Sequence, residues 1–275
     1  MSRQVRADST PEARFLPRAQ EVISRIAETQ AEPLAEASRL SADAIGAGGL
    51  VHVFGTGHSR IPVEEMFPRY GSYPGFNPIV ELSMTFHTEV VGANGQRQAM
   101  YIERVEGLAE QILANFELAS PDAMIVFSAS GLTAVPIEMA QGARARGLPV
   151  IAVTSVAQSL AAEPGHSSGT RLLDNADVVV DLCTPAGDAM VEIDGLPTPV
   201  APGSTVAAVA VANEIKAQTA LLLAERGALP PVITSATLVG AEIAEELFDA
   251  AYGEHARRLA RVLRKSALEG GSRIA

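Results

Sequence analysis

The chain has 275 residues, a formal net charge of −11 and a single cysteine, Cys183. This negative charge argues against a nucleic-acid partner, which needs a broad basic surface. One cysteine excludes an internal disulfide and a metal cluster built on cysteines. The N-terminus lacks an apolar signal core, and polar residues interrupt the longest apolar stretches, so we expect no membrane span and a cytoplasmic location.

Apolar spacing predicts a helical region over Pro11–Ala47, which Pro33 divides into two helices. Beyond it, short β-branched runs alternate with helical segments. The predicted strands are Leu50–Phe54, Asn77–Leu82, Ala123–Phe127, Val150–Val153 and Ala176–Leu182. The later predicted helices are Ser59–Phe67, Tyr101–Phe116, Pro136–Arg146, Ser204–Arg226 (with Ser204 as its cap) and Ala241–Lys265. Residues 83–98 fit neither pattern, and Thr184–Pro202, which has four prolines, is predicted as an excursion or small hairpin.

The alternation of strands and helices predicts an α/β fold with a parallel sheet covered by helices on both faces. Ligands of such sheets bind beyond the carboxyl ends of the strands. Residues that directly follow predicted strands are therefore the first candidates for a binding site.

Two loops rich in small hydroxyl residues occupy such positions, and each opens a helical segment. The first is Gly55-Thr56-Gly57-His58-Ser59, and the second is Ser128-Ala129-Ser130-Gly131-Leu132-Thr133. Backbone amides, hydroxyls and a helix N-terminus all favour an anion, and two loops at equivalent positions suggest that both enclose one phosphate.

Two other interpretations of these loops stay open. The first loop resembles the dinucleotide fingerprint G-x-G-x-x-G, but Arg60 replaces the third glycine. Glu81 follows the next strand, as the acidic residue of that fingerprint does, so this alternative stays open. Each loop is also compatible with an ordinary strand-to-helix turn, in which one hydroxyl caps the helix.

The two loops, together with Val150-Ile-Ala-Val-Thr-Ser155, resemble the SIS (sugar isomerase) domain over about residues 35–225. The resemblance implies a three-layer αβα sandwich with a five-stranded parallel sheet, flanked here by N- and C-terminal helices. It also implies phosphosugar binding and sites shared between subunits, hence a homodimer or homotetramer. The expected parts are a helical segment (1–34), the phosphosugar-binding domain (35–228) and a helical extension (229–275).

The resemblance also assigns roles. Ser128, Ser130 and Thr133 would hold the phosphate, with Gly131 allowing close approach of the backbone. Within Glu64–Tyr70, which is similar to a catalytic segment of phosphoheptose isomerase, Glu65 would be the base. That enzyme's late-helix histidine has no counterpart in Val206–Leu223, and its zinc site does not carry over. We therefore expect no metal and no cofactor.

Histidines are the natural proton carriers near neutral pH. His87 and His255 are the candidates for catalysis, His255 by entering a neighbouring subunit's site. We expect His58 to touch the phosphate or sugar, His52 to be structural and His166 to be solvated.

The helical acids Glu103 and Glu106 are predicted to lie on a solvated face, with the pocket as the alternative. The last helix carries an apolar stripe that either packs on its own domain or forms a dimer seam. The stripe comprises Ile243, Leu247, Leu259, Val262 and Leu263.

Together with the two hydroxyl loops, the resemblance implies a protein that binds a sugar phosphate and interconverts aldose and ketose forms through an enediol. A non-catalytic phosphosugar sensor or regulatory subunit is the second hypothesis, because the late-helix histidine is missing. A lyase or etherase that acts on an amino-sugar phosphate is the third.

Overall fold

The computed structural model describes residues 15–85 and 95–263. The central strands are β1 (Val51–Gly55), β2 (Phe76–Ile79), β3 (Ala123–Phe127), β4 (Val150–Thr154) and β5 (Val178–Asp181), and a separate hairpin contains β6 (Ala189–Val191) and β7 (Val200–Pro202). The helices are α1 (Phe15–Thr29), α2 (Ala31–Gly46), α3 (Arg60–Glu65), α4 (Leu82–Thr85), α5 (Gly95–Ile102), α6 (Leu108–Leu113), α7 (Ala134–Ala145), α8 (Val156–Leu160), α9 (Ser204–Glu225), α10 (Ala236–Val239) and α11 (Ala241–Val262).

The five central strands form one parallel sheet in the order β2-β1-β3-β4-β5. The chain order reverses beside β1, which pairs with both β2 and β3, and such a reversal opens a crevice beyond the strand ends. The predicted α/β fold with a five-stranded parallel sheet is confirmed.

The strands are buried on both faces because successive side chains point to opposite sides. In β3, Ile125 and Phe127 join the core beneath α1, α2 and α9, whereas Met124 and Val126 join the core beneath α6 and α7. Helices therefore cover both faces of the sheet, which completes the three layers.

One predicted helix is wrong in its extent. Tyr101–Phe116 is not continuous, since α5 ends at Ile102 and α6 begins at Leu108. The break is at Gly107, whose φ is 86° and whose amide donates to the Glu138 carboxylate at 2.7 Å.

The hairpin β6–β7 confirms the prediction for Thr184–Pro202, but Ser204 does not cap α9. Its hydroxyl instead donates to Asp188 at 2.6 Å, and the same carboxylate accepts the backbone amides of Gly203 and Ser204. Asp188, from the hairpin, therefore supplies the acceptors for the first turn of α9.

The two histidines predicted to be non-functional differ in environment. His52 is fully buried in β1 between Asp122 and Asn77, which confirms a structural role. The prediction that His166 is solvated is wrong: its side chain is 9% exposed and lies 3.3 Å from Glu138.

Within the described ranges, α9 is the one helix that is long and apolar enough to cross a membrane by length and composition. Its buried side chains pack in the core against α2, as those of an internal helix do. The three-part division of the chain stays a prediction.

Candidate functional site

A cavity of about 310 Å³ opens at the carboxyl edge of the sheet, between β1 and β3. Both hydroxyl loops line it, so Gly57 and Ser130 share one pocket. The lining residues are Thr56, Gly57, His58, Ser59, Ala99, Met100, Glu103, Ser128, Ala129, Ser130, Thr133, Gln158, Asp188, Pro202, Ser204 and Thr205. Among the described residues, no lysine or arginine lines this cavity.

The first loop turns sharply out of β1. A Cβ at Gly55 would lie 2.4 Å from the carbonyl oxygen of Ser59, so the turn requires glycine there. Gly57 has a φ of 54° and begins a short 3₁₀ turn that carries His58 and Ser59 into the cavity lining. Gly55 therefore shapes the loop, and the residues after it face the pocket.

The second loop is held by its own serines. The Ser128 hydroxyl accepts the amide of Gly131 at 3.1 Å, and Gly131 has a φ of 62°. A Cβ at Gly131 would lie 3.0 Å from Oγ1 of Thr154, so this glycine also allows close packing. The amide of Gly131 and its close packing against Thr154 therefore fix the conformation of the second loop.

The second loop leads directly into the 12-residue helix α7. Thr133 precedes it in an extended conformation, but its side chain makes no capping bond. The hydroxyl is therefore not consumed by capping, and the helix N-terminus adds its partial positive charge at the cavity.

Glu103 is the acid that the sequence prediction placed on a solvated face, and the structure corrects that placement. Its carboxylate lines the cavity and accepts a hydrogen bond from Oγ1 of Thr56 at 2.9 Å. Burial raises the pKa of Glu103, while the Thr56 hydroxyl and Arg104, 3.4 Å away, oppose the shift. A partly buried carboxyl with a raised pKa is suited to proton transfer.

Two further lining groups come from regions that the motif analysis did not use. Oε1 of Gln158, in the middle of α8, is buried and has no hydrogen-bond partner among the described residues. Asp188 reaches the cavity from the hairpin with a φ of 66°. Both groups add hydrogen-bond acceptors to the cavity lining.

The family model for the SIS domain matches residues 14–155, which is just over half of the chain. The chain belongs to the SIS-domain family. A UPF0309 protein of Streptomyces coelicolor is 36% identical over 85% of this chain and 92% of its own length. A UPF0309 protein of Brucella anthropi is 39% identical over 79% of this chain and 86% of its own length. The family binds phosphosugars.

Two solved structures are similar to this SIS-domain chain. The sugar isomerase domain of an RpiR transcription factor from Sphaerobacter thermophilus covers 79% of this chain and 94% of its own, at 18% identity and a TM-score of 0.47. A phosphoheptose isomerase from Francisella tularensis covers 74% of this chain and 94% of its own, at 14% identity and a TM-score of 0.46.

Glu65 does not line the cavity of this SIS domain. Its carboxylate lies 3.4 Å from Nζ of the buried Lys216 and 2.8 Å from Arg69. Although burial opposes the shift, these two charges hold the pKa of Glu65 below its usual value. The structure therefore shows a paired carboxylate at the position predicted for the base.

Of the two histidines predicted to take part in catalysis, His255 does not line the cavity. His255 is 6% exposed on α11, packs edge-on against Phe67, and has an Nδ1 without a partner in the described part of the chain. Burial and the nearby Arg258 lower its pKa. His87 lies outside the described residues, so its role stays a prediction.

Glu106, Glu138 and His166 approach one another closely enough to hold a metal ion. However, Nδ1 of His166 accepts the amide of Ser168 at 3.1 Å, which leaves the ring proton on Nε2, toward Glu138. The carboxylate of Glu106 already accepts both the amide and the hydroxyl of Ser167. Protein donors therefore satisfy this cluster, which ties the segment after Glu103 to α7 and the 166–168 loop.

Proposed function

We propose that this SIS-domain protein is an aldose–ketose isomerase of a sugar phosphate, with Glu103 as its base. The observation that carries the proposal is that Glu103 lines the same cavity as both hydroxyl loops. Phosphate anchoring and a proton-transferring carboxylate are thereby available to one ligand.

The second hydroxyl loop is the proposed phosphate site. Ser130 and Thr133 offer hydroxyl donors, and α7 points its N-terminus toward them. Because no lysine or arginine among the described residues lines the cavity, neutral hydroxyls and backbone dipoles would supply the binding energy. An anchored phosphate would then fix the reacting carbons beside Glu103.

Glu103 would take the proton from the carbon next to the carbonyl, giving an enediol, and return it to the neighbouring carbon. This transfer interconverts an aldose and a ketose without net change in composition. The raised pKa of Glu103 supports the role, since a base whose pKa lies closer to neutrality also returns the proton readily. His58, which lines the cavity, would move the second proton between the two sugar oxygens.

The roles first considered for Glu65 and His255 are weaker in this proposal. Glu65 is paired with Lys216, and His255 is buried outside the cavity lining. In addition to His58, His87 stays a candidate for moving the proton between the two sugar oxygens. We also infer a cytoplasmic location, which the single free and buried cysteine, Cys183, supports.

Proton exchange tests the proposal. The protein would be incubated in D₂O with each of a panel of five- to seven-carbon aldose and ketose phosphates and followed by NMR. We expect one pair to interconvert with incorporation of deuterium at the carbon next to the carbonyl. Tight binding of a sugar phosphate without exchange would instead support the sensor hypothesis, and cleavage of a substituent would support the lyase or etherase.

A further inference from the structure

The segment that contains α10 and the first half of α11 lies at the surface of the domain. None of the residues 236–250 is buried, whereas the second half of α11 is anchored by Ala251, His255, Arg258 and Val262. We refer to residues 236–250 as the arm. Its exposed apolar side chains include Ile243 and Phe248, at 51% and 43% exposure. A helical arm without a fully buried side chain gains little from tertiary packing.

Charge is divided along α11. Glu242, Glu245, Glu246 and Asp249 occupy its first half without a base among them. The second half carries Arg257, Arg258 and Arg261 and one acid, Glu254, which pairs with Arg257 and Arg258 and leaves this half with a net positive charge. The four acids of the first half, Arg257 and Arg261 are exposed, and Arg264 and Lys265 continue the basic run in the sequence, outside the described residues. The four acids and Arg261 have no ion-pair partner among the described residues.

The helix macrodipole does not account for this pattern. Its influence fades within the first turn, yet the acids extend to Asp249, in the third turn. Like charges three or four residues apart, such as Glu242 and Glu246, also repel within a helix. A basic surface facing the arm would remove that cost.

The geometry points to a second copy of this chain as the partner. We propose that α11 helices of two protomers cross antiparallel about a twofold axis near Gly253. Glu245 of one copy then lies opposite Arg261 of the other, and Asp249 lies opposite Arg257. The members of each pair are equally far from Gly253 along the helix, which is the self-complementarity that a twofold interface requires.

The residues at the centre of this crossing are small. Ala250 and Ala256 are exposed on either side of the half-buried Gly253. Small side chains let two helix backbones approach closely, and the group nearest to a Cβ built at Gly253 is the end of the flexible Arg257 side chain, 3.8 Å away. The apolar stripe predicted as a dimer seam has another role at its end, because Val262 is 3% exposed and packs within its own chain.

Charge reversal tests this interface. One variant carries Glu242→Lys, Glu245→Lys, Glu246→Lys and Asp249→Lys, which makes both halves of α11 basic. The other carries Arg257→Glu and Arg261→Glu, which makes both halves acidic. We expect the wild type to sediment as a dimer and each variant alone to dimerise at least tenfold more weakly. An equimolar mixture of the two variants should restore the dimer, because each basic half then meets an acidic one.

A control variant, Glu28→Lys with Glu32→Lys, reverses two exposed acids on α1 and α2 and should leave the dimer intact. If circular dichroism shows that a charge-reversed variant does not fold, the salt dependence of the wild-type dimer still tests the proposal. This dimer should weaken between about 0.1 M and about 1 M salt, as the screening length falls from about 10 Å to about 3 Å. A monomeric wild type, unaffected dimers in both variants, a mixture that stays monomeric, or a salt-independent dimer would each overturn the proposal.

Discussion

Two glutamates, Glu103 and Glu65, show how surroundings decide what a carboxylate does. Glu103 faces a cavity, bonds to one hydroxyl, and has a raised pKa because burial dominates its environment. Glu65 lies between Lys216 and Arg69, which together hold its pKa low. The first arrangement leaves a carboxyl ready to exchange a proton. The second holds α3 against α9.

The largest expected contrast is in turnover. Replacing Glu103 with Gln keeps the shape but removes the base, so we expect the isomerase activity to fall by about 10²–10⁴-fold. Glu65→Gln is the matched control and should change kcat by less than about threefold. Steady-state kinetics, with thermal unfolding to verify folding, makes the comparison. Equal losses of isomerase activity in both variants would contradict the choice of Glu103, rather than Glu65, as the base.

The next contrast is in stability. Lys216 has a side chain that is 9% exposed, and its ammonium donates to both the backbone oxygen and the carboxylate of Glu65. Lys216→Met leaves these acceptors without their donor, and we expect a loss of about 2–3 kcal/mol in the free energy of unfolding. Arg69→Met, at an exposed partner, should cost less than about 1 kcal/mol. Urea unfolding of both variants measures the difference. A Lys216→Met variant as stable as the wild type would show that the contact between Lys216 and Glu65 does not stabilise the fold.

Substitutions at two glycines with positive φ distinguish the effect of backbone strain from the effect of a changed second loop. Gly131→Ala adds strain and places a Cβ 3.0 Å from Thr154 Oγ1, whereas Gly107→Ala adds strain in open space. We expect each substitution to cost about 1–2 kcal/mol. Gly131→Ala should in addition abolish binding of the sugar phosphate in calorimetry. Unchanged affinity of the Gly131→Ala variant for the sugar phosphate would show that the second loop does not bind this ligand.

The smallest expected effect is a dependence of stability on pH. Burial and Arg258 lower the pKa of His255 below the ordinary 6.5, so the unfolded chain binds its proton more readily. Stability should therefore fall as the pH drops through 6.5 and below. His255→Gln should lose this component between about pH 7.5 and about pH 5.5. An identical pH profile for the variant and the wild type, by chemical unfolding, would contradict the assignment.

Local sequence pattern predicted the sheet and the position of the two hydroxyl loops at its carboxyl edge, because both depend on short segments. β3 is a continuous apolar run, and the hydroxyls of Ser128–Thr133 follow it directly. The position of Glu103 was not predictable in this way. The predicted helix is interrupted after Ile102, and Glu103 lies in the turn that follows, which Glu138 of a distant helix holds through the amide of Gly107.

The same limit applies to two other acids, Glu65 and Asp188. Glu65 was selected on a resemblance of its local segment, but its charge is balanced by Lys216, 151 residues further along the chain. Asp188 reaches the cavity because the hairpin β6–β7 folds back onto the start of α9. Pairings between remote segments decide these environments, and the local pattern contains no signal for them.

Calorimetric titration with sugar phosphates and with the corresponding unphosphorylated sugars tests the central claim most directly. We predict that at least one sugar phosphate binds the wild type and that its parent sugar binds at least tenfold more weakly. Thr133→Val, which removes one hydroxyl at nearly constant volume, should also weaken binding of the sugar phosphate by about tenfold. Affinity that is indifferent both to the phosphate and to the Thr133 hydroxyl would contradict a phosphate site between the two loops.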